Sequence, residues 1–468
     1  METEIFKIID EEIEKCDADL IRLTSRFIKI KSVRSKARKG APFGKGAKKM
    51  LDVFIGEAKK SALLVKDYKI GFCSAALREG EVDLGIWLHG DVVPEGTGWI
   101  YPPYRPTLLD GYIVGRGATD NKGQLAAVIT LFNILKKTGN LPRYNAAIFV
   151  GSAEETGMDD LFTHDGSGGF LSVARPPKLS LVPDADFPIC NAGSGSTNLL
   201  FRSGGAISSC DIIAGTEKEP GVAHAIFKSV DEKTIPSGII AKKIAAGTDL
   251  SAFKPPRHAS SPDPDGNMIT LLFDALLDNN FIREDERKYF QFLRDITKDI
   301  HGELLQINTE HEKMRPLTVF TKDAATVNGK LEFSLNVRYP VGITEEEILT
   351  RVSSVAENFD FTVESHPVRN PYIIDDEDEC AKILCNISNE ITGDNRTPYA
   401  MGGATYAHHL PNAYPFGMSG NKIPDFFPKG HGEAHGPDEV VSIERLKRAM
   451  KIYARAIIRL NDYFKSQH

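Results

Sequence analysis

Short apolar runs in the first half of the chain constrain its fold more than any other feature. Residues 84–88, 146–150 and 179–182 are apolar-rich runs of strand length, broken only by Ser180, and between the first two lies the longer apolar-rich run 125–135, of helical length. Strands that are apolar at successive positions are buried on both faces, and their alternation with helices places them in an α/β sheet covered by helices. Ligands of such sheets gather at the carboxyl ends of the strands, so the residues just after each run are the candidate site. These are His89-Gly-Asp91, Glu154-Glu155 and Asp184, joined by Asp120 at the opening of the helical run and by His435 in the glycine-rich segment 430–436.

Elsewhere the pattern sets the organisation. Ile5, Ile9, Ile13, Cys16, Leu20, Leu23 and Phe27, at alternating gaps of four and three, form one stripe of an amphipathic helix. Residues 29–49 carry nine Lys or Arg and no acid. They lack the Gly-x-x-x-x-Gly-Lys-Ser/Thr order of a phosphate loop, and read as a solvated loop leading into a helix over 45–59. From 188 the texture turns to Gly/Ser-rich strands, a Pro/Asp loop at 262–266, a charged helical stretch at 282–300 and a strand at 330–338. This predicts a second domain, 188–380, inserted into a first made of 1–187 and 381–468. A chain of 468 residues is long enough to give each its own core.

With 57 basic against 64 acidic side chains, a net charge of −7, the chain lacks the basic excess that binds nucleic acid or an anionic membrane, and neither is expected as a partner. No apolar run nears the roughly 20 residues of a membrane span. The six cysteines include no Cys-x-x-Cys pair, and the first residues lack the basic-then-apolar pattern of a secretory signal. Reduced thiols in a cytoplasm are the expectation.

Each candidate group also has a plain structural reading. His89-Gly-Asp91 fits a capped turn, Glu154-Glu155 a solvated loop, Asp120 a helix N-cap and His435 a surface histidine. Against this, period-two spacing puts His89 and Asp91 on one strand face, where Asp91 can accept the ring N–H and orient a ligating nitrogen. Two glutamates directly after an apolar strand are hard to keep charged unless a cation sits between them. The five groups offer nitrogen and oxygen donors with no thiolate, which suits zinc, manganese or cobalt.

Taken together, His89-Gly-Asp91, Gly115-Arg-Gly-Ala-Thr-Asp120-Asn-Lys-Gly123, Ser152-Ala-Glu-Glu-Thr-Gly157, Val182-Pro-Asp184-Ala-Asp-Phe-Pro188 and His435 resemble the two-metal, co-catalytic zinc peptidases. That family includes carboxypeptidase G, acetylornithine deacetylase, succinyl-diaminopimelate desuccinylase and the aminoacylases. Ala41-Pro-Phe-Gly-Lys-Gly, Gly402-Gly-Ala-Thr-Tyr-Ala407, Leu410-Pro-Asn-Ala413 and the overall length are similar to its dipeptidase branch, peptidase V. The resemblance implies a mixed-sheet catalytic domain covered by helices, an inserted α+β lid domain, and two divalent metal ions, zinc first, with manganese or cobalt as alternatives. Residue by residue, it makes Asp120 the carboxylate bridging both metals. His89 and Asp184 complete one site, Glu155 and His435 the other. Asp91 becomes the partner of His89, and Glu154 the general base for a metal-bridged hydroxide. It also implies a cis Asp120–Asn121 peptide.

In the insertion, His258-Ala-Ser-Ser-Pro262 is similar to a lid motif whose histidine donates to the oxyanion. Asn336-Val-Arg338-Tyr-Pro340 is similar to the strand whose arginine clamps the substrate's free carboxylate. Asn267 and the Gly402-Gly403 pair are similar to substrate-contacting loops. Without the family pattern, His258 reads as a surface loop residue and Arg338 as a member of a structural ion pair. The implied activity is metal-dependent hydrolysis of dipeptides with a free C-terminal carboxylate, by a monomer whose large lid supplies His258 in cis. An N-acyl-amino-acid amidohydrolase on the same centre and a non-catalytic peptide or metal binder are the alternatives. Three positions depart from the family pattern: Gly193 stands in place of a glutamate, Cys210 in place of an asparagine, and the lid-loop glycine falls one place late at Gly266. None is a metal ligand, so they bear on substrate preference.

Overall fold

The structure, a computed structural model, describes residues 2–163, 166–216, 219, 221–230, 235–254, 262–418 and 423–466. It divides into two compact units. Met1–Asn191, Ile374–Tyr399 and Ala404–His468 form the first, and Ala192–Ile373 with Ala400–Gly403 the second. The chain thus leaves the first unit at 191 and re-enters it at 374, a few residues inside the 188–380 expected from composition.

The first unit is built on six strands: β1 (Leu64–Asp67), β2 (Cys73–Ala76), β3 (Leu84–His89), β4 (Ala146–Gly151), β5 (Leu179–Val182) and β6 (Ala413–Pro415). Their order across the sheet is β1-β2-β4-β3-β5-β6. The four strands from β4 to β6 are parallel, and β2 and β1 continue the sheet antiparallel, so the sheet is mixed. The three apolar-rich runs become β3, β4 and β5, and every residue in them is buried because both faces are covered. Leu84, Ile86, Leu88, Ile148, Val150 and Leu181 face a helical core. Trp87, Phe149 and Val182 face an aromatic cluster with Phe72, Phe170 and Tyr406 on the other side. There Trp87 stacks on Phe149, ring centres 4.3 Å apart, and donates its indole N–H to Ser180 Oγ at 3.0 Å, so no polar atom of the ring is stranded.

The helical core is organised by Lys122–Thr138, whose side chains from 122 to 132 are all buried. It packs against Glu2–Glu14, Asp17–Ile28 and the C-terminal helix Ile443–Ser466. The single amphipathic stripe expected at the N-terminus is two helices, Glu2–Glu14 and Asp17–Ile28, separated at Lys15 and Cys16. The stripe itself is continuous, since Ile9, Ile13, Cys16, Leu20, Leu23 and Phe27 are all buried in one core. The interruption follows from Asp17 and Asp19, which favour a new helix N-terminus where exposed N–H groups carry positive partial charge.

The second unit is α+β. Its eight-stranded sheet is antiparallel and runs in the order 240–244, 247–253, 222–227, 211–214, 318–327, 330–339, 195–203, 361–369. Strand Lys330–Tyr339 alternates strictly between buried and half-buried positions, the signature of a sheet with one face on a core. That core is filled from the helices Met268–Asp278, Arg287–Lys298 and Glu345–Glu357, with Phe201 stacked on Phe333 at 4.5 Å at its centre. Among the described residues no helix is long and apolar enough to cross a membrane.

Candidate metal centre

Every candidate ligand of the first unit stands at the carboxyl end of a strand or in a turn that returns to that end. His89 is the last residue of β3 and pairs in register with Gly151, the last of β4. Glu154 and Glu155 follow in a one-turn 3-10 helix, Glu154–Thr156, and Asp184 lies two residues beyond β5. Asp120 precedes the Lys122–Thr138 helix across a cis peptide to Asn121. It is not the N-cap: Asn121 holds that place, and its amide donates to Pro183 O at 2.8 Å and Asp184 Oδ1 at 3.4 Å, tying the turn to the Asp184 loop. The turn is tight at Gly117, whose φ of 86° is left-handed and where a Cβ would come within 2.8 Å of Lys122 Cδ.

These turns bring His89, Asp120, Glu154, Glu155, Asp184 and His435 together. Asp120 lies between the two histidines, with Oδ1 2.9 Å from His89 Nε2 and Oδ2 3.0 Å from His435 Nε2. Asp184 Oδ2 is 3.9 Å from His89 Nε2, and Glu155 Oε2 is 3.0 Å from His435 Nε2. Two groups of three donors, His89 with Glu154 and Asp184, and His89 with Asp120 and Glu155, have ligand atoms within 4.8 Å of one another. His89 is buried while His435 is 53% exposed, so the two ends of the cluster differ in access to water. His435 is held in left-handed backbone, φ 63°.

The electrostatics of this cluster call for cations. Burial, then the charge of Asp184, pushes the Glu154 carboxyl well above the usual range, and its Oε1 has no hydrogen-bond partner among the described residues. Burial and the neighbouring Asp120 push Asp184 up to about 8 and Glu155 up to about 7. Asp120 is the exception: burial opposes its charge, but His435 and His89 hold it well below the carboxylate range. Hydrogen bonds from its ring to the carboxylates of Asp120 and Glu155 in turn raise His435 to about 11. Four carboxylates, one with an unpartnered buried oxygen, together with two imidazoles and no thiolate, make a donor set that fits divalent metal ions of the zinc, manganese and cobalt kind.

The surrounding residues hold the candidate ligands by their backbone. The Nδ1 of His89 meets the Asp91 carbonyl at 3.1 Å, while the Asp91 carboxylate, 3.6 Å from that nitrogen, accepts the N–H groups of Glu154 and Glu155 at 3.2 Å each. The link expected between the Asp91 carboxylate and the His89 ring is therefore the longer contact. The carboxylate instead sits under the 154–155 turn because two amides there converge on it. Asp160 does the same one step earlier. Its Oδ2 accepts from Ser152 N at 2.5 Å, Ala153 N at 2.9 Å and Tyr406 Oη at 2.7 Å.

The other candidates lie in the second unit. Arg338 makes no ion pair among the described residues; its Nη1 donates to Gly402 O at 2.6 Å and its Nε to Asn336 Oδ1 at 3.3 Å. Arg338 and Arg369 lie opposite Ser196 on the two strands flanking it, and Arg369 Nη2 reaches the same Gly402 carbonyl at 3.1 Å. At Gly403 an added Cβ would meet only the Met401 side chain at 3.7 Å, an ordinary contact. Asn267 is the N-cap of Met268–Asp278: its Oδ1 accepts from Ile269 N at 2.8 Å and its Nδ2 donates to Thr321 O at 3.2 Å, so its amide serves the fold. His258 lies outside the described residues. Sequence reasoning missed Asp160, Arg369, Arg116 and Glu439. Only Arg116 sits inside a motif it had singled out; Asp160 and Glu439 bind mostly backbone N–H groups and Arg369 backbone carbonyls, which leave no residue-type signal.

Comparison with known proteins agrees with this geometry. A Bacillus subtilis (strain 168) protein named "Putative dipeptidase YtjP" is 27% identical over 480 residues, covering 96% of this chain and 98% of its own. A Staphylococcus epidermidis protein named "Putative dipeptidase" is 26% identical over 497 residues, with the same coverage. Among solved structures, the Saccharomyces cerevisiae di-peptidase Dug1p superposes with a TM-score of 0.60 at 11% identity over 98% of both chains. Human carnosine dipeptidase 1 gives 0.59 at 13% identity over 98% of this chain and 99% of its own. The Bacillus subtilis YXEP protein, described as a dinuclear metal binding peptidase, gives 0.52 at 9% identity over 96% and 99%. The family model for Peptidase family M20/M25/M40 matches residues 86–459, from the middle of β3 to the C-terminal helix, and the chain belongs to that family.

Proposed function

We propose that this metal-binding peptidase is a dipeptidase acting on dipeptides with a free C-terminal carboxylate. The observation that carries the reading is Asp120 placed between His89 and His435, one carboxylate oxygen toward each, beside the Glu154-Glu155 pair. In this reading Asp120 would be shared by two divalent ions, His89 and Asp184 would hold one of them, and Glu155 and His435 the other. When bound, the ions supply Lewis-acid charge that polarises the scissile carbonyl and acidifies water. Glu154 takes the proton of the attacking water at Oε1 and returns it to the departing amine. Asp91 keeps the two glutamates in place through their amides. Arg338, without an acidic partner among the described residues, clamps the substrate carboxylate beside Gly402 and Gly403, and His258 donates to the oxyanion. The names of the relatives support the dipeptide substrate.

Zinc is the metal of this reading, with manganese or cobalt as substitutes, because the donors are mixed imidazole and carboxylate. Six free cysteines support action in the cytoplasm. The size of the second unit supports a monomer that completes its own site. The test is amine release by chelator-stripped protein, with zinc or manganese restored, from dipeptides, tripeptides and N-acyl amino acids. Metal-dependent cleavage of dipeptides is the expected result, and cleavage of N-acyl amino acids alone would overturn it. Glu154→Gln is expected to keep the metal and lose turnover by about 10²–10⁴-fold; unchanged turnover would remove Glu154 from the mechanism.

A further inference from the structure

Behind the ligands lies a second pair of charges, Arg116 and Glu439, each 1% exposed and joined by a 2.9 Å bond from Arg116 Nη1 to Glu439 Oε2. Every bond of the Glu439 carboxylate goes to the turn that carries Asp120. Oε1 accepts the N–H groups of Thr119 and Asp120 at 2.9 Å each, and Oε2 accepts Gly117 N at 2.8 Å besides the guanidinium. The other arm of the guanidinium, Nη2, donates to the His435 carbonyl at 3.1 Å and to Pro94 O and Glu95 O at 3.3 and 3.2 Å. The Arg116 head is also stacked over the Trp99 ring, 5.1 Å from its centre.

One ion pair therefore touches the backbone of both Asp120 and His435, residues whose side chains meet 3.0 Å apart. A fully buried ion pair is a poor way to gain stability, because desolvation offsets most of its Coulomb attraction, and its best-attested use is to fix a register. Here the register is that of a glycine-rich turn against a loop more than 300 residues later in the chain. Three amides of that turn point at one carboxylate; without it they would be buried and unsatisfied.

We infer that Glu439 and Arg116 are positioning residues that lock the Asp120 turn to the His435 loop, so that the two metal positions are set jointly. The inference rests on the two-ion reading above. Arg is required at 116 because a planar fork spans two directions, whereas a lysine ammonium can keep Glu439 and lose the His435 carbonyl. The consequence is asymmetric. Loss of the Glu439 charge disturbs Asp120, which both positions share, and loss of the Arg116 fork disturbs His435, which serves one.

The experiment is calorimetric titration of Zn²⁺ or Co²⁺ into metal-stripped protein, with the thermal midpoint measured alongside. The wild type is expected to take two ions. Glu439→Gln should weaken both binding steps by about 10–100-fold, the usual effect of removing a group that orients metal ligands, and Arg116→Lys should weaken one. The double variant should fall short of the product of the two, since the residues act as a unit. Tyr144→Phe, which removes a 2.7 Å bond to Ile457 O in the helical core, separates position from stability: it should lower the midpoint and leave both affinities unchanged. Wild-type affinities in both Glu439→Gln and Arg116→Lys, or equal weakening by Tyr144→Phe, would overturn the inference and leave the peptidase reading standing. A wild type that binds no divalent ion would overturn both. If Glu439→Gln does not fold, Arg116→Lys decides the matter.

Discussion

Replacing Asp160 with Asn is expected to make the protein more stable at pH 8 but not near pH 4. Burial, then the charge of Asp91, pushes the Asp160 carboxyl up to about 7, against the ordinary 3.8 that applies in the unfolded chain; bonds from Tyr406, Ala153 and Ser152 pull the other way. Below 3.8 both states hold the proton and the group contributes nothing. Between 3.8 and 7 the folded state keeps a proton that the unfolded state has lost, so stability falls as pH rises, and the loss is complete above 7. A gap of about three pH units corresponds to about 4 kcal/mol. Asn keeps an oxygen for the three donors on Oδ2, and puts its amide nitrogen where Oδ1 has no partner among the described residues. At low pH the variant is therefore level with the wild type or about 1 kcal/mol worse. The assay is the thermal midpoint of both proteins from pH 4.5 to 8.5 at fixed metal content. At about 2 °C per kcal/mol for a domain of this size, the variant should gain about 8 °C on the wild type across that range. A difference that does not change with pH, or one that turns against the variant as pH rises, would show that Asp160 is charged and refute the reasoning.

Removing the metal should act through the same physics. Asp184 and Glu155, raised to about 8 and 7 without cations, make the stripped protein lose stability as pH rises from 5 to 8. The midpoint gap between loaded and stripped protein should widen over that interval, and a constant gap would refute this. Gly151→Ala places a Cβ 1.8 Å from Tyr406 Oη and 2.3 Å from Asp160 Oδ2, both buried. It should cost about 1–3 kcal/mol from overpacking and lower kcat, because the displaced pair holds the amides leading to Glu154; an unchanged midpoint would count against it. Arg369→Lys should raise KM for dipeptides several-fold with kcat nearly unchanged, since it removes one of two donors fixing the Gly402 carbonyl; an effect on kcat alone would argue for a different role.

What the sequence discloses follows from the range over which each signal acts. Strands β3, β4 and β5 are legible because burial on both faces writes itself into consecutive residues, and the groups that end them are legible because strand ends of such sheets collect ligands. The division of labour around Asp91 was not legible. Period-two spacing predicts that its carboxylate faces the His89 ring, whereas two amides some sixty residues away compete for the same oxygens and hold them. Glu439 and Asp160 left no trace, because most of their bonds come from backbone N–H groups, which demand no particular residue type, and their side-chain partners Arg116 and Tyr406 lie more than 240 residues away. The break at Cys16 was hidden for a related reason: the apolar stripe runs through it unchanged, and only the acids that follow mark a new helix start.

The order in which the candidate ligands appear along the chain has a consequence for synthesis. Ala192–Ile373 is almost the whole of the second unit and is contiguous, so it can close its core while the ribosome is still translating. The first unit cannot, because β6, the helix Ile443–Ser466 and His435 all come after it. At 5–20 residues per second, the nascent chain spends on the order of tens of seconds with His89, Asp120, Glu154, Glu155 and Asp184 already made and their last histidine still missing. During that interval the helical face of the sheet lacks its C-terminal cover. Folding of the first unit thus waits for segments made after the second, and a chain truncated before residue 435 would carry a finished insertion on an unfinished first unit.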